Sequence, residues 1–208
     1  MKLETIYNEL VSIMKDNMNF TKALALKEKL EKAIREETCY KTTSKTRVNA
    51  IKRVASKMLD RPALTGYGEQ EGYKIVTDSY HAIMIKQDEM PLKLVTTDSE
   101  LATKVGKENC IFGTYPNFTH FINFDKEQHD IVNLDLNDIE TFYKLHKKNA
   151  KEELYEINGH YYNIIFIKNV LDVLGTDITF YLPKENYRPA YMVNKDNEIG
   201  LVLPIAKY

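Results

Sequence analysis

The chain has 208 residues, with 29 Lys and Arg against 30 Asp and Glu, so no whole-molecule positive field draws it onto nucleic acid. Its 43% hydrophobic content, with 14 Tyr and 8 Phe, supplies the apolar surface for one or two compact domains and excludes a disordered chain. No apolar run of about 18 residues is present, no apolar stretch follows the start at Met1-Lys2, and Cys39 and Cys110 are the only cysteines, so a cytoplasmic protein with free thiols and no membrane partner is expected.

In chain order, Leu3, Ile6, Tyr7, Leu10, Val11, Ile13 and Met14, then Leu24, Leu26, Leu30 and Ile34, recur at helical spacing and predict an αα-hairpin over residues 3 to about 37. The hairpin breaks at Asn17 to Thr21, with Thr21 as the cap of its second helix. Thr42-Thr43-Ser44 reads as a linker and cap before a helix over 45 to 59, striped by Val48, Ile51, Val54 and Met58. From Arg61 to Phe121 short β-rich runs alternate with turns: Tyr73 to Thr77, Ala82 to Ile85, Leu92 to Val95 and Cys110 to Phe112. The last third predicts a strand at 131–134, a helix at 137–148, a strand at 161–166, a helix at 167–174, and strands at 178–182, 190–193 and 201–204. Helix followed by antiparallel strands, occurring more than once, predicts an α+β fold built from repeated units.

Three segments carry a family resemblance. Arg61-Pro62-Ala63-Leu64-Thr65-Gly66 followed by Thr77-Asp78-Ser79-Tyr80-His81 resembles R-P-x-L-T-G and T-D-[GS]-[HY]-R-L of the bacterial DNA polymerase III beta subunit, the sliding clamp family. Gly113-Thr114-Tyr115-Pro116-Asn117-Phe118-Thr119-His120-Phe121-Ile122 resembles that family's G-x-[YF]-P-D-x-x-[RK]-[VL]-[IL]-P, and Leu201-Val202-Leu203-Pro204-Ile205-Ala206-Lys207-Tyr208 resembles its C-terminus, [LV]-[IV]-[LM]-P-[VM]-R-x-Y. The resemblance covers residues 45 to 208. His81, Ala82 and Ala206 depart from the family's Arg, Leu and Arg.

The resemblance implies DNA-clamp-like repeats behind an N-terminal helical segment: residues 1–43, then clamp-like domains at 44–120 and 121–208. It implies an apolar groove for short linear motifs of replication proteins, lined by Thr77, Ser79, Tyr80, His81, Pro116, His120, Phe121, Leu201, Leu203 and Pro204. Without the resemblance, Phe121, Leu201 and Leu203 read rather as core strand residues of any α+β protein. It implies sequence-independent contact with double-stranded DNA through Lys45, Arg47, Lys52, Arg53 and Lys57 of one helix and Lys144, Lys147 and Lys148 of another. The first of these helices holds no Asp or Glu between Ser44 and Leu59; an ordinary solvated face is the other reading.

The function implied is a clamp-like DNA-tethering or processivity factor acting as a homo-oligomer. The alternative is an adaptor or decoy that binds clamp-interaction motifs without encircling DNA. The five histidines form no metal spacing with the cysteines, and phosphate-cradling and hydrolase motifs are absent, so no enzyme, metal or cofactor is expected. Asp135, Asp138 and Glu140 read as acids at a helix N-terminus, with Asn137 or Asp138 as the cap.

Overall fold

The computed structural model describes residues 20–58, 60–146 and 154–206. The expected helix before residue 17, and Lys147, Lys148, Lys207 and Tyr208, lie outside the described residues. Helix α1 (Phe20–Thr42) runs past its expected end and takes in Thr21, which therefore does not cap it. Helix α2 (Lys45–Val54) starts where predicted, Ser44 accepting the Arg47 N–H. It stops at Val54 and not near 59: Val48, Ile51 and Val54 are buried, Met58 is exposed, and the chain turns extended at Ala55 so that the Ser56 N–H bonds to Leu64 O.

The remaining elements are β1 (Gly68–Gln70), β2 (Tyr73–Thr77), β3 (His81–Ile85), β4 (Leu94–Thr96), α3 (Ser99–Val105), β5 (Cys110–Phe112), α4 (Thr119–Ile122) and β6 (His129–Val132), followed by α5 (Leu136–His146), β7 (Leu154–Ile157), β8 (His160–Asn163), α6 (Ile164–Leu174), β9 (Ile178–Pro183), β10 (Ala190–Asn194) and β11 (Ile199–Val202). The fold is α+β, as expected. One antiparallel sheet takes seven strands in the order β1-β2-β3-β11-β10-β9-β6. Strands β4 and β5 pair in parallel, and β7 and β8 form a separate hairpin.

Several local expectations are corrected. Asp98 accepts the N–H groups of Glu100 and Leu101 and starts α3, a helix not expected from the sequence. Ile164 to Phe166 open α6 and do not continue a strand, because Asn163 caps the helix through the Ile165 N–H. Hairpin β7–β8 also went unpredicted, although its turn is Asn158-Gly159 at φ 46° and 83°, the left-handed pair a two-residue hairpin loop requires. Asp135 caps α5, its carboxylate accepting the N–H groups of Asn137 and Asp138; neither of those residues is the cap.

Both faces of the central strands are covered. On one face Ile51 and Val54 of α2 and Ile167, Val170 and Leu174 of α6 pack on Val76, Ile83, Met192 and Val202. On the other, Phe118 with the partly buried Phe121 and Phe124 covers Ile75, Ala82, Met84, Tyr191 and Leu201. The Phe124 ring stacks on Tyr191 at 3.9 Å between centroids. Helix α6 lies so close to β11 that a Cβ on Gly200 would stand 2.1 Å from Val170 Cγ1.

At the far end of β11 a polar node ties the helices to the sheet. Glu198, 5% exposed, accepts Arg47 Nη2 at 2.7 Å, the Lys86 N–H at 3.1 Å and Asn194 Nδ2 at 2.9 Å. Arg47 also donates to Val173 O at 2.9 Å and Gln87 Oε1 at 3.1 Å. Burial pushes the Glu198 carboxyl up, but the hydrogen bonds from Arg47 and the Lys86 N–H outweigh it and hold the carboxyl below the usual carboxylate range.

Both contacts lend themselves to measurement. Gly200→Ala overpacks the α6 contact and lowers unfolding free energy by about 2 kcal/mol, read as a drop in urea midpoint at constant slope. For Glu198, a folded carboxyl titrating below its unfolded value of about 4.3 stabilises fully above that value and loses the effect as pH falls through the folded one. Glu198→Gln therefore costs about 3 kcal/mol near neutral pH, and its gap to the parent narrows as pH drops below about 4; a gap that stays constant into acid would refute the linkage.

Candidate peptide-binding cleft

Three segments reach one end of the large sheet. The first is the β2–β3 turn, which is tied to itself. Thr77 Oγ1 donates to His81 O at 2.8 Å and accepts the Ser79 N–H at 3.0 Å. Asp78 Oδ1 accepts the N–H groups of Tyr80 and His81 and lies 2.9 Å from His81 Nδ1. Burial pushes the Asp78 carboxyl up, but these hydrogen bonds prevail and hold it below its usual range. Ser79 sits at φ 82°, the left-handed conformation that lets so short a turn close.

The second segment is the wall from Tyr115 to Phe121. Gln70 holds it with both ends of one amide: Nε2 donates to Pro116 O and Oε1 accepts the Phe118 N–H, each at 2.6 Å. Tyr115 lies over Gly68, where a Cβ would come within 2.4 Å of the ring. The Phe118 and Phe121 rings pack 5.2 Å apart, three residues from each other at the short helix α4. The third segment is the exit of β11. Its ladder ends at Val202, and the Leu203 N–H bonds to Tyr80 O at 2.9 Å.

Together these segments enclose a cleft of about 190 Å³ lined by Thr77, Ser79, His81, Pro116, Asn117, Phe118, Phe121, Leu201 and Leu203. Seven of these were named from the sequence. Asn117 and Phe118 were not, and neither was Gln70 behind them; the signal available was the aromatic spacing of Phe118 and Phe121. The other three named residues stand elsewhere. Tyr80 is 61% exposed and stacks on Phe166 at 6.0 Å. His120 is exposed on α4 outside the lining, and Pro204 lines a neighbouring cleft. His81 is largely withdrawn: 1% exposed, it stacks on Phe166 at 4.4 Å.

Three of the four basic residues of α2 are paired with acids of other elements. Arg47 is bonded to Glu198, Lys52 pairs with Glu36 of α1 at 2.9 Å, and Arg53 pairs with Asp172 of α6 at 2.6 Å. Lys45 is exposed, and so is Lys57, which lies past the helix end. Lys144 is exposed on α5 and pairs with Glu140 at 3.3 Å. Among the described residues no helix is long and apolar enough to cross a membrane.

No protein-family model and no curated protein matches the chain. Solved structures do match. The DNA polymerase III beta chain from Streptococcus pneumoniae TIGR4 aligns with a TM-score of 0.51 at 14% identity, over 78% of this chain and 62% of that one. The beta subunit from DNA polymerase of Streptococcus pyogenes gives 0.51 at 13% identity, covering 78% and 64%. The Helicobacter pylori beta clamp bound to a DNA ligase peptide gives 0.50 at 14%, covering 78% and 63%. The chain thus has a clamp-like fold and spans less than two-thirds of the length of these chains.

Proposed function

We propose that the protein is a non-catalytic, clamp-like interaction module that captures short linear motifs of replication proteins in the cleft at the end of β3 and β11. The observation that carries this reading is the convergence of the Thr77–His81 turn, the Pro116–Phe121 wall and Leu201 and Leu203 on one partly apolar cleft. Apolar walls with a few polar groups at the rim suit Leu and Phe anchors. The clamp-like fold supports it, and one structural neighbour is a clamp bound to a DNA ligase peptide.

In its fuller form the reading makes residues 44–120 and 121–208 two clamp-like units joined through β3 and β11, assembled as an oligomer that tethers partners to duplex DNA from a cytoplasmic location. A second form, an adaptor that does not encircle DNA, is favoured by one observation: Arg47, Lys52 and Arg53 are already paired with Glu198, Glu36 and Asp172. Phosphate contact would have to compete with those carboxylates. Light scattering separates the forms. A ring-sized oligomer retained on closed but not linear DNA marks the tether; a monomer retained on neither marks the adaptor.

A Gln-x-x-Leu-Phe peptide is expected to bind with micromolar affinity, since burying each anchor contributes about 1.5–3 kcal/mol before ordering costs. Leu203→Asp sets an unpaired charge against the anchors and abolishes binding with the far-UV spectrum unchanged. Titration calorimetry with a panel of such peptides decides it: no heat from any member sinks the proposal.

A further inference from the structure

A cleft of about 820 Å³, more than four times the volume of the peptide cleft, lies between α1 and the strand-rich segment from Tyr67 to Asn109. Helix α1 precedes the part of the chain that resembles the clamp family. One side of it is anchored: Leu30 and Cys39 are buried, Glu36 pairs with Lys52 of α2 at 2.9 Å, and the Tyr40 hydroxyl donates to Asn49 Oδ1 at 3.4 Å. Another face, Lys27, Glu31, Ile34, Arg35 and Thr38 at helical spacing, forms a wall of the cleft about 17 Å long, or about three turns of helix. Arg35 Nη1 donates to Asn109 Oδ1 at 3.1 Å and fixes that wall against the turn before β5.

The lining combines apolar surface with unbalanced negative charge. Met90 and Leu94 are buried, Ile34, Tyr67 and Leu92 are partly covered, and Val105 is 40% exposed. Four carboxylates, Glu31, Asp88, Glu89 and Glu108, stand against two cations, Lys27 and Arg35. Both cations are already engaged, Lys27 with Glu31 at 3.4 Å and Arg35 with Asn109. The exposed carboxylates of Asp88, Glu89 and Glu108 have no ion-pair partner among the described residues. Neighbouring groups feel that field: burial first, then Glu69, the Cys110 thiolate and Glu89, push the Tyr67 phenol up to about 12, with Arg35 opposing. Burial and then Glu89 push the Cys39 thiol up in the same way.

We infer that this cleft docks an amphipathic segment of a partner protein that carries Lys or Arg beside Leu- or Ile-type side chains. The aliphatic groups meet Met90, Leu92 and Leu94, and the cations meet Asp88, Glu89 and Glu108. The apolar lining disfavours a purely ionic occupant, and the unpaired carboxylates disfavour an acidic one.

The full chain is titrated with a fluorescein-labelled Leu-Lys-Lys-Leu-Leu-Lys-Leu-Leu-Lys-Lys-Leu peptide, read by anisotropy, and with analogues carrying Ser for Leu or Glu for Lys. Only the Leu/Lys peptide is expected to bind, and added salt to weaken it. Glu89→Gln with Glu108→Gln is expected to weaken binding about fivefold or more. Glu127→Gln with Asp130→Asn, which removes the same charge at the β6 edge of the sheet, leaves it unchanged, as does Leu203→Asp in the peptide cleft. All four acids are exposed, so both double variants fold as the parent does. Equal loss in the two double variants, or binding of the Ser/Lys analogue, would mean general adsorption and overturn the docking site, and so would the absence of any binding. A dimer in light scattering that Val105→Arg dissolves would give the cleft to a second copy of the chain instead.

Discussion

The antiparallel pairing of β3 with β11 is the constraint on which the rest of the structure depends. It sets His81 against Val202, Ala82 against Leu201 and Met84 against Ile199, joining the early strands to the last ones in a single sheet. Every residue of both strands is buried, so a slip of one position would exchange the sets facing α6 and the aromatic cover, and the register is strongly specified. Two features lock it. Gly200 is the position at which α6 can approach, and Glu198, just before the strand, is bound to Arg47 from 151 positions away. Only in this register does Leu203 leave the sheet beside Tyr80, with the Pro116–Phe121 wall opposite.

Sequence patterning made the central strands of the main sheet readable because they are buried on both faces, whereas the edge strand β1, Gly68-Glu69-Gln70, was not expected. Runs such as Ala82 to Ile85 and Ala190 to Val193 are apolar at nearly every position, and no polar alternation confuses them. Short elements held by a single cap were harder. Helix α3 rests on Asp98, and the start of α6 on Asn163, where the apolar run Ile164-Ile165-Phe166 reads as strand until the cap decides otherwise. In the cleft, seven lining residues were legible through the three resembling segments. Phe118 and Gln70 were not, because one completes a packing cluster and the other acts from a neighbouring strand through a side-chain amide. The role of Gln70 leaves no local signature, and that of Phe118 leaves only its spacing from Phe121.

Charge was the feature most altered by folding. Along the sequence, α2 is a run of cations without a single acid, which reads as a phosphate-facing surface. In the folded chain the acids arrive from other elements: Glu36 from α1, Asp172 from α6 and Glu198 from the turn before β11. The two guanidinium groups serve helix packing, the exposed Arg53 reaching Asn169 and Asp172 of α6 while the partly buried Arg47 reaches Val173 O. Arginine suits that task because its planar donors satisfy several acceptors at once. A one-dimensional count of charge therefore overstates the field a partner would meet.

The cleft forms where the sheet runs out of cover, which explains both its composition and its rigidity. Leu201 is still inside the ladder and almost wholly buried, whereas Leu203 and Pro204, beyond the last paired residue, are only partly covered. Pro204 has no N–H to offer and marks the point at which a further ladder bond is impossible. Each wall is fixed through its backbone: the turn by Thr77 and Asp78, the aromatic segment by Gln70, the exit strand by Tyr80 O. If the proposed function holds, a surface held this way needs little ordering when a peptide arrives, and affinity would follow the apolar area its anchors bury. The same logic ranks the residues around it. On the proposed function, the lining residues would set how tightly a peptide is held, while Gln70 and Asp78, which are not among them, hold the walls at their spacing.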